Sequence, residues 1–551
     1  MSHREQFADA VTKIDGMLAA RNAGGLGPGL SLALTTSRGL IATRVYGAAN
    51  AVSGEPVSER TLFQIGSITK QFTATACLRL SQRGDLDLHA PVTDVLPEFA
   101  VASRFETQVT PHHLLTHTAG LVMMMDSYPS SWAQLYALRD TELGFEPGTG
   151  FSYSNVGYNV LQCMIQTLTG LRFDDALREL VFAPLGMDDS YGEVMARLAP
   201  RMAKGHKYSE FDDRPVPRPK QQSVVNGYET SQGCASVVTT ATDLATFLRM
   251  ELNGGRADDG TTFLTPETFA AMTHPYAPMD GFFAGTTQGY GVFVEKSDAT
   301  GGRRRIIGGG ENLGFEAAMY GDLEKGVGAV LFCNSFDVPW RETRYILDAL
   351  IAAADGDSLP PAPAFPSADE THVGEGAGDY AGTYASGARS FALEAVKGRL
   401  EFRTDGRTVA LTKIGGDQFL ASLPGFDHAM LTFERDADGG VVEAHQLGET
   451  FRNERHDGAS VPAYPSAWDA YVGHYRSFGI LFTNFRIFVR KGMLIGQFFG
   501  GYVDRALCER GPGVFHIDGA PQETVSFDWF VGGRAVRCRS SGCDFYRVDE
   551  P

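Results

Sequence analysis

The sequence predicts a multidomain protein in which a mixed α/β domain precedes two small antiparallel β-barrels. Three observations lead to this prediction. The chain has 551 residues, more than one ordinary domain contains. Residues 355–363 are rich in glycine and proline, which is typical of a linker. Beyond them, short alternating segments separated by turns replace the earlier mixture of helical and extended patterns, as in β-barrels.

The elements before the linker alternate between helical and extended patterns. An amphipathic helix over about residues 7–19 is followed by a hairpin that turns at residues 37–39. A short extended segment then leads into a helix that starts near residue 67, and another helix starts near residue 155. Strands around residues 315–320 and 327–333 precede a last helix over about 341–354. We therefore predict a first domain over residues 1–355 and a linker over 356–372.

An internal repeat supports the two barrels. Residues 380–386 (YAGTYAS) match residues 471–477 (YVGHYRS) at an offset of 91 (471 − 380), and Lys397-Gly398 matches Lys491-Gly492 at an offset of 94 (491 − 397). The second copy therefore has about three extra residues, which fall within 478–484. Two copies of one barrel, over 373–462 and 463–551, are the economical interpretation. A single larger sandwich is the alternative.

Two short motifs carry the candidate chemistry. Ser67-Ile68-Thr69-Lys70 puts a hydroxyl and an amine one helical turn apart, so both side chains share a face. A serine hydroxyl needs a neighbouring group to take its proton, and Lys70 could take it directly or stabilise a Tyr153 phenolate that does so. Tyr153-Ser154-Asn155 lies in a similar loop-to-helix setting. The pattern predicts a serine hydrolase that works through an acyl-enzyme; solvated helix surface, an anchoring aromatic and helix N-caps are the alternative.

Several blocks in this order resemble the penicillin-recognising serine hydrolases, the superfamily of class C β-lactamases. They are residues 64–72 (QIGSITKQF), 113–121 (HLLTHTAGL), 145–148 (FEPG), 153–155 (YSN), 184–187 (PLGM) and 290–291 (YG). The resemblance implies an antiparallel sheet flanked by helices, with an all-helical subdomain. It also implies that Ser67 is the nucleophile, Lys70 its activator and Tyr153 the proton shuttle. Asn155 would bind Lys70 and the acyl amide of the substrate, and His117 would be structural.

The third motif of this superfamily, usually Lys-Thr-Gly or His-x-Gly on a strand, is replaced here by Gly308, Gly309 and Gly310. Glycines would still let the strand approach a substrate closely. The N–H groups of Ser67 and Glu311 would form the oxyanion hole. The cationic or imidazole group that receives a substrate carboxylate is missing, although the arginine run at 303–305 could substitute for it. The change disfavours β-lactamase and carboxypeptidase activities and leaves amidase, aminopeptidase and esterase activities open.

A hydrolase domain followed by two barrels resembles the D-aminopeptidase branch, which implies a dimer and a loop from the last barrel that reaches the cleft. The predicted loop, residues 478–484, would line the pocket with Phe478, Phe482 and Asn484; an ordinary hairpin tip is the alternative. This segment contains no carboxylate for a substrate ammonium. Glu295 or Glu311 could supply one, unless both are ordinary surface carboxylates.

Three functions compete at this point. The first is an aminopeptidase or amidase that releases small N-terminal residues, of D or L configuration, from peptides or amides. The second is an esterase for small acyl esters, and the third is a non-catalytic binding protein. The expected partner is a small peptide, amide or ester, and neither a cofactor nor a metal is expected. Oligomeric state stays open, because no sequence feature requires the dimer that the branch implies.

Composition narrows the partners and the compartment. A formal net charge of −18 disfavours nucleic acid and anionic membranes. We find no apolar run long enough to cross a bilayer and no apolar signal core in residues 1–9. The seven cysteines include no Cys-x-x-Cys pair, and we expect free thiols in a cytoplasmic protein.

Overall fold

The computed structural model describes residues 5–23, 27–125, 127–208, 222–224, 232–279, 285–297, 300–335, 339–363, 371, 373–387, 389–427, 429–456, 462–477, 484–498 and 503–548. The chain divides into two compact units. The first consists of Met1–Lys207 and Val224–Phe365, and the second of Tyr208–Ser223 and Pro366–Pro551. Among the described residues, no helix has the length and apolar character needed to span a bilayer.

The first unit combines helices and antiparallel strands. Its helices are α1 (Ala8–Ala23), α2 (Thr69–Arg83), α3 (Pro111–Leu115), α4 (Ser131–Ala137), α5 (Asn155–Thr169), α6 (Phe173–Leu177), α7 (Ala183–Leu185), α8 (Ala241–Leu252), α9 (Pro266–Met272) and α10 (Trp340–Asp355). Its strands are β1 (Gly29–Thr36), β2 (Gly39–Asn50), β3 (Glu55–Pro56), β4 (Phe63–Gln64), β7 (Val238–Thr239), β8 (Ala277–Pro278), β9 (Thr286–Gln288), β10 (Phe293–Glu295), β11 (Arg305–Asn312), β12 (Phe315–Asp322) and β13 (Val327–Cys333). Two short strands, β5 (His206–Tyr208) and β6 (Gln222–Val224), include residues assigned to both units. A 3₁₀ turn, Gly66–Ile68, leads directly into α2.

Nine strands form the main sheet, in the order β3-β2-β1-β13-β12-β11-β10-β9-β8. The inner strands β12 and β13 are buried along their whole lengths, because helices cover both faces of the sheet. Helices α1 and α10 share one apolar cluster with alternate residues of β1 and β13. On the other face, α8 brings Leu248 against Gly321 and Gly328. The sheet is therefore the middle layer of a three-layer domain.

Helices α2 to α7 follow one another between β4 and β7, and they form the helical part of this unit. Helix α2 packs against α5, and Phe72 in its first turns meets Phe182 edge-on and Phe247 at a tilt. Helix α2 ends at Gly84 and α5 at Gly170, both in the left-handed conformation that suits a glycine cap. This packing fixes the two helix N-termini that carry the predicted motifs.

In its described residues the second unit is all-β apart from two 3₁₀ turns, Glu375–Tyr380 and Ser466–Ala470. Its first sheet contains β14 (Gly382–Ser386), β15 (Arg389–Val396), β16 (Arg399–Thr404), β17 (Arg407–Ala410), β18 (Thr412–Gly415), β19 (Gln418–Leu420), β20 (Leu431–Arg435), β21 (Val441–Gln446) and β22 (Glu449–Asn453). Its second contains β23 (Gly473–Arg476), β24 (Asn484–Arg490), β25 (Met493–Phe498), β26 (Val503–Gly511), β27 (Val514–Ile517), β28 (Ala520–Val531), β29 (Arg534–Ser540) and β30 (Cys543–Val548).

The second sheet closes into an eight-stranded barrel through the β23–β30 pairing. The first sheet has the order β17-β16-β15-β14-β22-β21-β20-β19-β18. Its edge strands β17 and β18 are separated only by Leu411, whose N–H donates to the Leu400 carbonyl at 2.9 Å. The chain itself therefore closes the ring at Leu411. The predicted fold class, an α/β domain followed by two antiparallel barrels, is confirmed.

The sequence repeat corresponds to a structural repeat. Tyr384 donates from its hydroxyl to the Tyr380 carbonyl at 2.8 Å, and Tyr475 donates to the Tyr471 carbonyl at the same distance. The limits proposed above for the individual domains remain predictions. Helix α10 ends at Asp355 with Gly356 as its left-handed cap.

Candidate active site

Ser67 lies in the 3₁₀ turn at the N-terminus of α2, and Lys70 lies one turn later on the same face. The Lys70 Nζ is 3.1 Å from the Ser67 Oγ. The Lys70 residue is only 3% exposed, so its amine depends on protein partners. The first N–H groups of a helix lack partners within the helix. The N–H of Ser67 belongs to this set, as an oxyanion hole requires.

Lys70 has three hydrogen-bond partners, two of which can only accept. Its Nζ donates to Asn155 Oδ1 at 2.7 Å and to the Cys234 carbonyl at 3.1 Å. Ser67 Oγ is the third partner, and a hydroxyl can both donate and accept. The same three contacts therefore satisfy an ammonium, which donates to all three, and a neutral amine, which accepts from Ser67. This geometry suits a proton that passes between Ser67 and Lys70.

Helix α5 positions both acceptors. Asn155 is its first residue, and Ser154 is its N-cap, because the Ser154 Oγ accepts from the Gly157 N–H at 3.0 Å. Farther along α5, Asn159 Oδ1 accepts from the Cys234 N–H at 3.2 Å and so holds the backbone of the residue whose carbonyl faces Lys70. Thr73 of α2 holds the same loop, since its hydroxyl donates to the Gly233 carbonyl at 2.6 Å.

His117 supports the second motif from behind. Its Nδ1 accepts from the Ser154 N–H at 3.0 Å, and its ring stacks against Tyr153 and Tyr158 at 4.4 and 5.0 Å. Burial, together with the nearby charge of Lys70, lowers the pKa of His117 well below its ordinary value. A neutral ring is therefore held between the motif and the core. The face of the Tyr153 ring lies 4.8 Å from Lys70 Nζ.

The glycine triplet lies on β11, directly beside the serine turn. A Cβ on Gly310 would meet the Ile65 carbonyl and the Ser67 amide, and one on Gly66 would meet the backbone of Glu311. The two segments therefore touch backbone to backbone, and the role of the Ser67 and Glu311 N–H groups as oxyanion donors stays a prediction. Neighbouring strand β10 pairs with β11 only over Arg305–Ile307, whereas β12 pairs along its whole length.

Side-chain amides and small residues line the cleft beside the serine. The residues that form it are Ser67, Lys70, Gln71, His117, Tyr153, Gln288, Gly291, Phe293, Ile307, Gly308 and Gly309. A Cβ on Gly308 would come within 2.6 Å of Gln71 Nε2, so the Gln71 amide occupies the space next to this glycine. On the opposite face of β11, the Trp340 indole fills the space beside Gly309. Among the residues that form this cleft, Lys70 is the sole lysine or arginine, and none is an aspartate or glutamate.

The two candidate carboxylates are placed differently from the cleft. Glu295 accepts from Arg344 Nη1 through both oxygens, at 3.0 and 3.2 Å, and it is not among the lining residues. Glu311 is exposed, and strand alternation puts its side chain on the Trp340 face, away from the serine turn. The geometry therefore brings neither carboxylate to Lys70.

The arginine run also has other partners. Arg303 donates to Asp322 at 2.8 Å, Arg304 to Glu324 at 3.1 Å, and Arg305 to Asp348 at 2.7 Å. Each of the three guanidinium groups therefore binds a carboxylate of the protein, and the structure does not support their use in place of the missing third-motif group.

The predicted loop falls mostly outside the described residues. Phe478 and Phe482 are not described, whereas Asn484 begins β24 and its Oδ1 lies 3.1 Å from His474 Nε2. Sequence inspection missed the Cys234 carbonyl and the two glutamines of the cleft, Gln71 and Gln288. Only the position of Gln71, directly after the Ser-x-x-Lys motif, could have indicated one of them.

Comparison with known proteins shows which family this chain resembles. The family model described as Beta-lactamase matches residues 14–353. Penicillin-binding protein 4 of Amycolatopsis lactamdurans is 34% identical over 257 residues, which cover 45% of this chain and 66% of that protein. Esterase EstB of Burkholderia gladioli is 40% identical over 166 residues, which cover 26% of this chain and 42% of that protein. The chain thus spans less than two thirds of these relatives.

The fold is also found among solved structures. That of the octameric penicillin-binding protein homologue from Pyrococcus abyssi has a TM-score of 0.57 and 21% identity, and the match covers 80% of this chain and 99% of that one. This similarity concerns the fold, and the family model matches more than half of the chain. The chain therefore belongs to the Beta-lactamase family of penicillin-recognising serine hydrolases.

Proposed function

We propose that this protein is a serine hydrolase that cleaves amides of small residues with a free α-amino group, as an aminopeptidase does. One observation carries the choice of substrate. The side-chain oxygens of Gln71 and Gln288 are buried, and neither accepts a hydrogen bond from the described residues. Both residues line the cleft beside Ser67. Buried amide oxygens call for donors, and a substrate ammonium or amide N–H would supply them.

The proposed reaction starts at Ser67. Its Oγ attacks the substrate carbonyl carbon while its proton passes to Lys70 or Tyr153. The N–H groups of Ser67 and Glu311 would stabilise the oxyanion, a contribution of about 3 kcal/mol for each donor in comparable enzymes. The same proton then goes to the leaving amine, and water repeats the sequence on the acyl-enzyme.

The part of the cleft where the third motif would lie has no charged side chain, which fits a substrate with an uncharged leaving group. In place of a cationic third motif the cleft has Gly308 and the Gln71 amide, so no lining group is set to receive a carboxylate. This arrangement supports a small, uncharged leaving group over a penicillin or a C-terminal D-alanine. Residues 478–484, with Phe478 and Phe482, would then limit substrate size, as the D-aminopeptidase branch implies.

An esterase for small acyl esters is the second candidate. It is supported by the absence of a carboxylate among the residues that form the cleft and by the similarity to an esterase over 166 residues. The Ser67 and Lys70 chemistry would be unchanged, and the two glutamines would then have no role in substrate binding.

A paired turnover assay separates the candidates. The protein is offered D- and L-alanine p-nitroanilides, their N-acetylated forms, and p-nitrophenyl acetate and butyrate, with Ser67→Ala as the control. We expect cleavage of the free-amine anilides alone, and a loss of about 10⁴-fold or more in kcat for Ser67→Ala. Fast ester cleavage without anilide cleavage would establish the esterase. Wild-type turnover by Ser67→Ala would remove the nucleophile assignment altogether.

Two variants test the binding of the amine. Gln71→Leu should raise KM for free-amine substrates about tenfold, because the substrate ammonium would lose its hydrogen bond to the Gln71 oxygen. Ester hydrolysis should stay nearly unchanged. Glu295→Gln should leave both activities unchanged, since Arg344 already binds that carboxylate. Equal effects of Gln71→Leu on amines and esters would contradict the proposed contact.

Deletion of residues 478–483 tests the size limit. We expect larger acyl groups to be accepted at the expense of alanine substrates. Unchanged size selectivity would mean that this segment does not reach the cleft.

A further inference from the structure

We propose that the second unit contains a binding site for a small organic carboxylate with an apolar body. The site is a cavity of about 410 Å³, a volume typical of small-ligand pockets. Strands β23, β24, β29 and β30 of the second barrel form most of it. The turn Leu447-Gly448 of the first barrel completes it.

The turn is seated closely on the second barrel. Leu447 has a φ of 53°, and a Cβ on Gly448 would come within 2.6 Å of the Val489 carbonyl. This left-handed turn with glycine as its second residue lets the backbone touch β24. The cavity wall is therefore made of ordered backbone from both barrels.

Three arginines line the cavity. Its lining contains Arg486, Arg534, Arg547 and His474 and no acidic side chain among the described residues. Arg547 is fixed across the barrel end by neutral partners. Its Nε donates to the Ala535 carbonyl at 2.7 Å, and its Nη2 donates to the Ala470 carbonyl and the Tyr475 hydroxyl, both at 3.1 Å.

The remaining corner of the Arg547 guanidinium lies beside Gly473, a lining residue. A Cβ at Gly473 would come within 2.5 Å of Arg547 Nη1. Glycine thus leaves room for this nitrogen next to the cavity. A guanidinium held by neutral acceptors keeps its full charge, and the Nη1 group of Arg547 remains as the donor for a carboxylate.

Three other arginines of the same barrel are neutralised by carboxylates. Arg537 pairs with Asp528 at 2.6 Å, Arg539 with Asp544 at 2.9 Å, and Arg490 with Asp504 at 2.6 Å. Arg534 and Arg547 have no acidic partner in the described part of the chain. In a protein with a net charge of −18, unneutralised arginines that converge on one cavity indicate an anion as the occupant.

The walls select the kind of anion. Leu447, Val472, Ile487, Phe488 and Val548 supply apolar surface around the basic groups. Inorganic phosphate would leave that surface wet, whereas a carboxylate on a small aromatic or branched body would cover it. The structure therefore favours an organic monocarboxylate.

Fluorine NMR titration with 4-(trifluoromethyl)benzoate tests the site, with 4-(trifluoromethyl)benzamide as the neutral control. The full chain is used as wild type and as D549N/E550Q, because Asp549 and Glu550 directly follow β30 in the sequence and could compete. We expect saturable binding of the benzoate at millimolar concentrations in at least one of the two proteins and no binding of the benzamide.

Three variants locate the bound probe, with circular dichroism melting to verify that each is folded. Arg534→Gln should weaken benzoate binding about threefold, as for a partly exposed charge. Arg547→Lys should weaken it about tenfold, because an ammonium cannot keep the three contacts that position the guanidinium beside the cavity. Arg539 lies on the same strand as Arg534 but pairs with Asp544, so Arg539→Gln should change the benzoate affinity less than about twofold.

Other outcomes overturn the proposal. These are no benzoate binding in either protein, equal binding of the benzamide, or unchanged affinity in both Arg534→Gln and Arg547→Lys. Displacement of the probe by inorganic phosphate at lower concentration than by benzoate would also overturn it, because the site would then select phosphate.

Discussion

The two barrels share a frame and differ in how they use it. In both, a tyrosine hydroxyl binds the carbonyl four residues earlier, and a Lys-Gly turn has left-handed φ values, 51° and 77° at Lys397-Gly398 and 51° and 76° at Lys491-Gly492. The first barrel interrupts one strand at Leu411, where the second has the continuous strand β26. Lys491, unlike Lys397, binds two carboxylates of the other barrel. The positions that the two barrels share stabilise the barrel fold. Lys491, at which they differ, contacts the other barrel.

The largest expected effect concerns Leu411 and its counterpart Leu507. Each follows an alanine, Ala410 or Ala506, that pairs with the equivalent position of the preceding strand. Both leucines are buried, so Leu411→Ala and Leu507→Ala should each cost about 3 kcal/mol of barrel stability. Hydrogen-exchange mass spectrometry of peptides from each barrel measures the loss locally. A cost below about 1 kcal/mol for Leu411→Ala alone would mean that the interrupted barrel does not rely on this core contact.

The next effect should separate the two Lys-Gly turns. Lys491 Nζ lies 2.5 Å from the nearly buried Glu443 and 2.7 Å from Glu434, and its own side chain is one third exposed. Lys491→Met should therefore cost about 2 kcal/mol, less than for a fully buried pair because solvent reaches the lysine. Lys397→Met has the same backbone conformation and should cost less than about 0.5 kcal/mol. Equal costs for the two variants in urea unfolding would remove the proposed difference.

Tyrosine substitutions should show the shared frame. Tyr384→Phe and Tyr475→Phe each leave a buried carbonyl without its donor, at a cost of about 1 kcal/mol. Tyr475→Phe should be somewhat more costly, because Arg547 also donates to that hydroxyl. The melting temperatures of the two variants check this order. A neutral Tyr384→Phe would contradict the equivalence of the two hydroxyls.

The smallest expected effect is a pH dependence at the junction of the barrels. Burial raises the pKa of Glu434, but hydrogen bonds from Lys491 and His445 outweigh it and lower the net value. Burial, and then the charges of Arg490 and Lys491, lower the pKa of His445, although Glu434 opposes this shift.

Both shifts act in the same direction. A group with a depressed pKa contributes stability that is lost as the pH falls, below about 6.5 for His445 and below about 4.5 for Glu434. Wild type should therefore lose more stability than Lys491→Met on acidification through this range. Parallel urea titrations of the two proteins measure the difference, and identical slopes would exclude a role for Lys491.

Local sequence patterns predicted those parts of the site that lie close together in the chain. Ser67 and Lys70 share a face because a helix has a fixed period, and a loop-to-helix boundary puts Asn155 at the start of α5. The repeat of Tyr380 and Tyr471 likewise predicted two related barrels.

Contacts between distant segments could not be predicted in this way. The Cys234 carbonyl binds Lys70 and Asn159 binds the Cys234 N–H, and a backbone acceptor has no sequence signature. Glu295 was predicted as an amine contact, but Arg344 of α10 binds it, and only the packing of that helix on the sheet brings the two together. The ring closure at Leu411 could not be predicted either, because the sequence around Leu411 has the same alternating pattern as an uninterrupted strand.

The glycine triplet has a consequence for how this chain could change its specificity. A side chain at position 309 would displace the Trp340 indole, and one at 310 would collide with backbone. At position 308, a new side chain would meet mainly the flexible end of Gln71. Of the three positions, 308 is therefore the one at which a side chain can be added without moving the backbone. Substitution of Gly308 by histidine or lysine would restore a group that binds a substrate carboxylate.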